Sequence, residues 1–322
     1  MGFPWQTQDP FLFCVYHLDH YPKGNGELGP VDSLEGRNLG NDFQVKDGYR
    51  MYHGTTVPGF PAHPHRGFET ITVVNKGFCD HSDSLGAAGR FGEGDVQWMT
   101  AGSGVQHSEM FPLIHSDKEN TLELFQIWLN LPAKNKFANP HFKMLWHEDI
   151  PVLKLEQSTV KIIAGRFGSV QALEPAPNSW ASETENDVAI WNIKIETNGS
   201  ITLPKANKGT TRTIYIYEGE TIEVLGESIP PNYGIEVEAT SETIIKAIGR
   251  EASILVLQGK PINEPVAKYG PFVMNTDQEL QKAMDEFRTT QFGGWPWRHP
   301  DQTHEVDRER FAKYPDGTII EK

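Results

Sequence analysis

Two pairs of ligand-type side chains, each with one residue between its members, constrain this chain more than any other feature. They are His63-Pro64-His65 and His107-Ser108-Glu109. In an extended strand, residues i and i+2 share a face and stand roughly 6.6 Å apart along the chain. Two such strands facing one another would bring three neutral imidazole nitrogens and one carboxylate to a single point. One or two positions would stay open for water, substrate or dioxygen. That donor set suits iron(II), and manganese, nickel, copper or zinc also fit it. Cys79 is not at ligand spacing with any of these residues, which argues against a closed structural zinc site. One His-x-His pair alone is commonly incidental. Two such pairs flanking a run of glycine turns in a β-rich chain point to metal binding.

The surrounding sequence supplies the strands. Phe68-Glu69-Thr70-Ile71-Thr72-Val73-Val74 is rich in β-branched residues and ends at Gly77. Gly86-Ala87-Ala88-Gly89 and Gly92-Glu93-Gly94-Asp95 read as turns around the strand Val96–Met99. Residues 122–129 alternate and then become apolar, as a half-buried strand does. A second β-rich block runs from 151 to 272, with Val188–Ile195, Thr213–Tyr217 and Ser253–Leu257 as its clearest strands. Its Gly219 and Gly234 stand in places like those of Gly77 and Gly94, which indicates a diverged duplication of one barrel. Between the blocks, Leu131–Lys136 and Asn139-Pro140 are polar and proline-broken.

The expected division is therefore 1–135 for a metal-binding barrel, 136–150 for a connection, 151–272 for a second barrel and 273–322 for a C-terminal helix and aromatic tail. Thr276-Asp277-Gln278-Glu279 is a capping box, and Leu280, Met284 and Phe287 form one stripe behind it. Phe292-Gly293-Gly294-Trp295-Pro296-Trp297 is expected to pack on a domain and bury tryptophan area.

Which carboxylate completes the histidine set is open on spacing alone. Glu69 follows His65 at a spacing seen in barrel metal motifs, and Glu109 competes with it. The alternative for Glu69 is an acceptor behind the ligands or a salt bridge, with Arg66 as partner. His81 and His115 read as loop or surface histidines. Phe60, Phe68 and Trp98 are candidates for a pocket wall, with core packing as the competing role. Ser103, Ser108 and Asp83 lack a nucleophile-elbow pattern. Gly102-Ser103-Gly104 lacks the lysine of a phosphate loop.

Composition narrows the partners. A net charge of −14 repels a phosphate backbone, so direct nucleic-acid binding is not expected. Two cysteines, Cys14 and Cys79, exclude a disulfide framework. No window approaches about 18 consecutive apolar residues, so no membrane span is expected. The first residues lack the basic start and apolar core of a signal peptide, and the expectation is a cytoplasmic monomer.

His63-Pro64-His65-Arg66-Gly67-Phe68-Glu69-Thr70 and the stretch from Gly94 to Met110 resemble the two signature stretches of the pirin family. Tyr269-Gly270-Pro271-Phe272-Val273-Met274-Asn275 resembles the family's segment after the second barrel. The resemblance implies an all-β bicupin: two antiparallel cupin β-barrels (double-stranded β-helices) with a few short helices. It implies one Fe2+ in the N-terminal barrel only, on His63, His65, His107 and Glu109. It thereby favours Glu109 over Glu69, and Glu109 becomes the candidate catalytic base. The implied activity is that of a quercetin 2,3-dioxygenase, which some pirins show, acting on a flavonol and dioxygen. The alternative is a non-catalytic, iron-dependent redox-sensing regulator that binds a protein partner. The residues from about 292 lie beyond the family's core pattern.

Overall fold

The computed structural model describes residues 1–322. It divides into two compact units. One comprises Tyr16–Gln126, Ala133–His147 and Pro265–Lys322; the other comprises Met1–Val15, Ile127–Pro132 and Glu148–Glu264.

The first of these units is built from β1 (Phe11–Tyr21), β2 (Gly59–His65), β3 (Phe68–Lys76), β4 (Phe78–Asp83), β5 (Ala88–Gly92), β6 (Val96–Thr100), β7 (Val105–Met110), β8 (Asn120–Asn130) and β9 (His141–Leu145). β1 and β8 each run from one unit into the other along the chain. One sheet has the order β1–β8–β3–β6–β9. The other has the order β2–β7–β4–β5 and is extended by the C-terminal strands Phe311–Lys313 and Ile319–Glu321. β3 lies inside its sheet and is buried on both faces from Phe68 to Val74, which explains its apolar and threonine run, with Glu69 the one charged residue in it. The apolar part of the core gathers Tyr21, Met51, Phe91, Phe111, Leu122 and Leu124.

Residues 136–150, expected as a connection, contain β9, an edge strand antiparallel to β6. Phe142 and Met144 point inward there and His141 and Lys143 do not. The short alternation was masked by the prolines and asparagines before it. The capping box forms as expected: Thr276 caps helix α1 (Asp277–Thr290), and the Glu279 side chain reaches back to the cap. Leu280 is buried with Phe272 and Met274, and Met284 and Phe287 pack against them.

The other unit holds a six-stranded antiparallel sheet and a four-stranded one. The expected strands appear as Ala189–Ile195, Thr211–Glu218 and Ala252–Gly259, all in the six-stranded sheet. Its interior is almost wholly aliphatic, with Ile162, Ile193, Ile214, Ile216, Ile254 and Val256 around Trp191. The first fifteen residues belong to this unit: Trp5 stacks on Tyr215 at 5.0 Å, and the Asp9 carboxylate accepts the backbone N–H groups of Ile262 and Asn263. Cys14 and Cys79 are both free and buried. The single α-helix is too short to cross a membrane.

Candidate metal centre

β2 and β7 are antiparallel neighbours, and their register sets His63 opposite His107. The i, i+2 spacing then puts His65 and Glu109 on the same inward face as that pair. A β-bulge interrupts the ladder between Phe60 and His63. Pro61 lies in that interval and has no N–H to give to a ladder, which is where bulges are tolerated.

The three imidazoles converge. Ring centroids are 4.8 Å apart for His63 and His65, 4.5 Å for His63 and His107, and 4.9 Å for His65 and His107. One ring nitrogen from each lies within 4.8 Å of the others. Glu109 Oε2 is 3.8 Å from His107 Nε2. Three of these side chains are buried, and His63 is half-buried.

The hydrogen bonds leave nitrogen lone pairs facing inward. His63 Nδ1–H donates to the Pro61 carbonyl at 2.8 Å, and His65 Nδ1 lies 3.4 Å from the Pro271 carbonyl. A carbonyl can only accept, so Nδ1 carries the hydrogen and Nε2 is left as a donor to metal. His107 has no hydrogen-bond partner at either ring nitrogen despite complete burial. A buried imidazole with both nitrogens unmatched is costly in a fold, and an ion between the three rings removes that cost. Burial also pushes His63 down to about 4 and holds His65 and His107 well below the ordinary histidine range, with neighbouring imidazoles adding to the effect. All three are therefore neutral, as metal ligation requires. The residues fit a divalent transition metal.

Glu109 sits in a closed set of hydrogen bonds that the sequence did not announce. Thr72 Oγ1 is 2.7 Å from Glu109 Oε1 and 2.7 Å from Gln126 Oε1. Gln126 Nε2 lies 3.4 Å from Glu109 Oε2. One hydroxyl proton cannot serve two acceptors. The Thr72 hydroxyl therefore points at one of them at a time, and its bond to Glu109 is donated to the carboxylate. Burial raises the Glu109 carboxyl above its ordinary range, and the hydrogen bond from Thr72 opposes that shift.

Glu69 lies on the other face of β3, fully buried, and accepts a hydrogen bond from Thr100 Oγ1 at 2.7 Å. Arg66, its expected partner, pairs with Glu286 at 2.8 Å instead. His81 corrects an expectation more sharply. It is fully buried on β4 opposite Glu109, its ring 5.6 Å from that of His107 and stacked on Phe142. Its Nε2 reaches Asp83 Oδ2 at 3.3 Å. Phe78–Asp83 carries no apolar alternation and is buried throughout from Cys79 to Asp83, so no local pattern announced it. Of the three aromatic candidates, Phe68 and Trp98 are fully buried core. Phe60 is half-buried, 6.4 Å from the His63 ring, with Tyr52 and His53 rings at 5.1 and 5.7 Å.

The family model for pirin matches residues 30–129, and the model for the pirin C-terminal cupin domain matches residues 190–293. The chain belongs to the pirin family. As a pirin it is a bicupin, with the histidine cluster in the barrel that the first of those models covers. A pirin-like protein of Solanum lycopersicum is 33% identical over 268 residues, spanning 78% of this chain and 84% of the relative. A Pseudomonas aeruginosa protein with a provisional quercetin 2,3-dioxygenase name is 35% identical over 236 residues, spanning 73% of this chain and 79% of the relative. A crystal structure of quercetin 2,3-dioxygenase from Acinetobacter baumannii aligns with a TM-score of 0.71 at 27% identity, covering 89% of this pirin and 87% of that chain.

Proposed function

We propose that this pirin is an iron(II)-dependent dioxygenase that cleaves flavonols such as quercetin, with His63, His65, His107 and Glu109 as the ligands. The convergence of three neutral imidazoles, with the buried Glu109 carboxylate 3.8 Å from His107, carries the reading. The names of the relatives from Pseudomonas aeruginosa and Acinetobacter baumannii support the substrate class. When bound, the metal supplies positive charge that lowers the pKa of a hydroxyl placed against it.

The chain's own residues do the rest. The half-buried Phe60, with Tyr52 and His53 around it, offers an aromatic wall beside His63 for a flat ring system. Glu109 is the base: it takes the flavonol 3-hydroxyl proton at Oε2, the oxygen nearer His107. Thr72 holds Oε1, so the carboxyl keeps one orientation as it changes protonation. Its raised proton affinity suits it to that role. The deprotonated flavonol reacts with dioxygen; both oxygen atoms enter the product, the central ring opens and one ring carbon leaves as carbon monoxide.

Aerobic incubation of the iron(II)-loaded chain with quercetin tests this, followed by absorbance loss and carbon monoxide release. Consumption of quercetin with stoichiometric carbon monoxide is the expected result. No consumption by metal-loaded protein overturns the enzyme reading. A Glu109→Ala variant that binds metal and keeps full turnover overturns the base assignment.

A further inference from the structure

After helix α1 the chain crosses the outside of the ligand strands, and its contacts fall beside the ligands themselves. Gln106, the residue before His107, donates from Nε2 to the Gln291 carbonyl at 2.7 Å. Ala62, the residue before His63, donates its backbone N–H to the Pro300 carbonyl at 2.8 Å. Trp297 Nε1 donates to the carbonyl of Asp83, the residue opposite His107 on β4, at 2.7 Å.

Two further features lock this segment down. The Phe292 ring lies so close over Gly104 that a Cβ there would come within 2.8 Å of it. The Arg66 guanidinium covers the Phe292 ring at 4.4 Å. Further on, the fully buried Arg90 pairs with Asp80 at 2.7 Å and donates to the carbonyls of Glu305 and Arg308 at 2.8 and 2.7 Å.

The placement matters because β2 is poorly supported where it needs to be firm. It is the edge strand of its sheet, it carries Pro61 and Pro64, and its ladder to β7 is interrupted just before His63. An edge strand with a bulge and two missing donors has few internal bonds to fix its path. The Pro300 carbonyl supplies a bond at that gap from outside. Residues from 294 onward lie past the stretch matched by the C-terminal family model.

We propose that Gln291–Pro300 is a positioning element for the metal centre, holding the backbone beside His63 and His107 so that the imidazoles are set before an ion arrives. This rests on the metal-centre reading above, and not on the flavonol activity. Residues behind metal ligands typically change affinity by roughly 10- to 100-fold when removed.

The test uses the full chain, with nickel(II) as probe, read by calorimetry together with amide hydrogen exchange at His63, His65 and His107. Gln106→Leu and Trp297→Phe each remove one bond to the segment while keeping bulk. Each is expected to weaken nickel(II) binding by roughly 10-fold and to speed exchange in β2 and β7. Ile320→Ser, far along the same tail, is expected to leave nickel(II) affinity unchanged. If Gln106→Leu does not fold, Trp297→Phe carries the test alone, since it retains an aromatic ring in place. Faster exchange in the segment with unaltered nickel(II) affinity overturns the positioning role. Failure of the unaltered chain to bind nickel(II) overturns the metal reading, and this inference falls with it.

Discussion

The two units use the same kind of strand and fill their interiors in opposite ways. Around β2, β3 and β7 the inward positions are His63, His65, Thr72, His107 and Glu109, with His81 and Gln126 beside them. In the other unit the interior is Ile193, Ile214, Ile216, Ile254 and Val256. All 12 histidines of the chain fall within the first unit's residues, and none within the second's. One barrel thus gathers three imidazoles in its interior, where a ligand can bridge them. The other surrounds Trp191 with aliphatic side chains. A shared architecture does not carry the chemistry; the inward side chains do.

The sharpest way to break this contrast is at His107. His107→Leu is expected to lower nickel(II) affinity by more than roughly 100-fold, since a ligand is worth more than the groups behind it. The same change is expected to stabilise the metal-free chain by about 1 kcal/mol or more, because it removes a buried ring with no hydrogen-bond partner. Calorimetric titration and thermal unfolding read the two effects. A destabilised metal-free variant would show that the imidazole is satisfied in some other way.

Next in size is the aliphatic interior. Ile254→Ala is expected to cost about 2–5 kcal/mol of stability in denaturant unfolding while leaving nickel(II) affinity intact. A matching loss of affinity would mean that the two interiors are not independent.

Acid should separate the units as well. His63 is held at about 4 against an ordinary 6.5, and His17, buried and near Arg50, at about 3. Unfolded imidazoles take up protons below about 6.5, while these folded ones do not. Stability is therefore complete above that pH and declines as pH falls toward 4. Hydrogen exchange of the metal-free chain across that window should accelerate in β2, β3 and β7 before it does in Ala189–Ile195. Simultaneous acceleration in both would contradict the histidine assignment.

The smallest effect concerns Gln97, fully buried beside Thr72 with neither amide atom hydrogen-bonded. Gln97→Met is expected to be neutral or to stabilise by about 1 kcal/mol, seen as an unchanged or higher unfolding midpoint. A clear destabilisation would show that this amide is matched in solution.

The histidine cluster was legible because its spacing is local. Two i, i+2 pairs announce inward faces in any β-rich chain, and the capping box at Thr276 is likewise a signal within four residues. The contacts that shape the centre were not legible, because they join residues far apart in sequence. Nothing near His65 names the Pro271 carbonyl, and nothing near Ala62 names Pro300. Thr72 and Gln126 look like ordinary strand residues until register brings them to Glu109. His81 and β9 were hidden for a different reason, since short strands flanked by turn residues read as loops. The placement of Met1–Val15 with the aliphatic unit depends on Trp5 meeting Tyr215, which no local pattern encodes.

The closed set around Glu109 has a consequence for how the centre fills. A carboxylate gripped at Oε1 by Thr72 and approached at Oε2 by Gln126 has little freedom to swing. Whatever enters must take up the place these neighbours allow, so the size of the seat is set before anything sits in it.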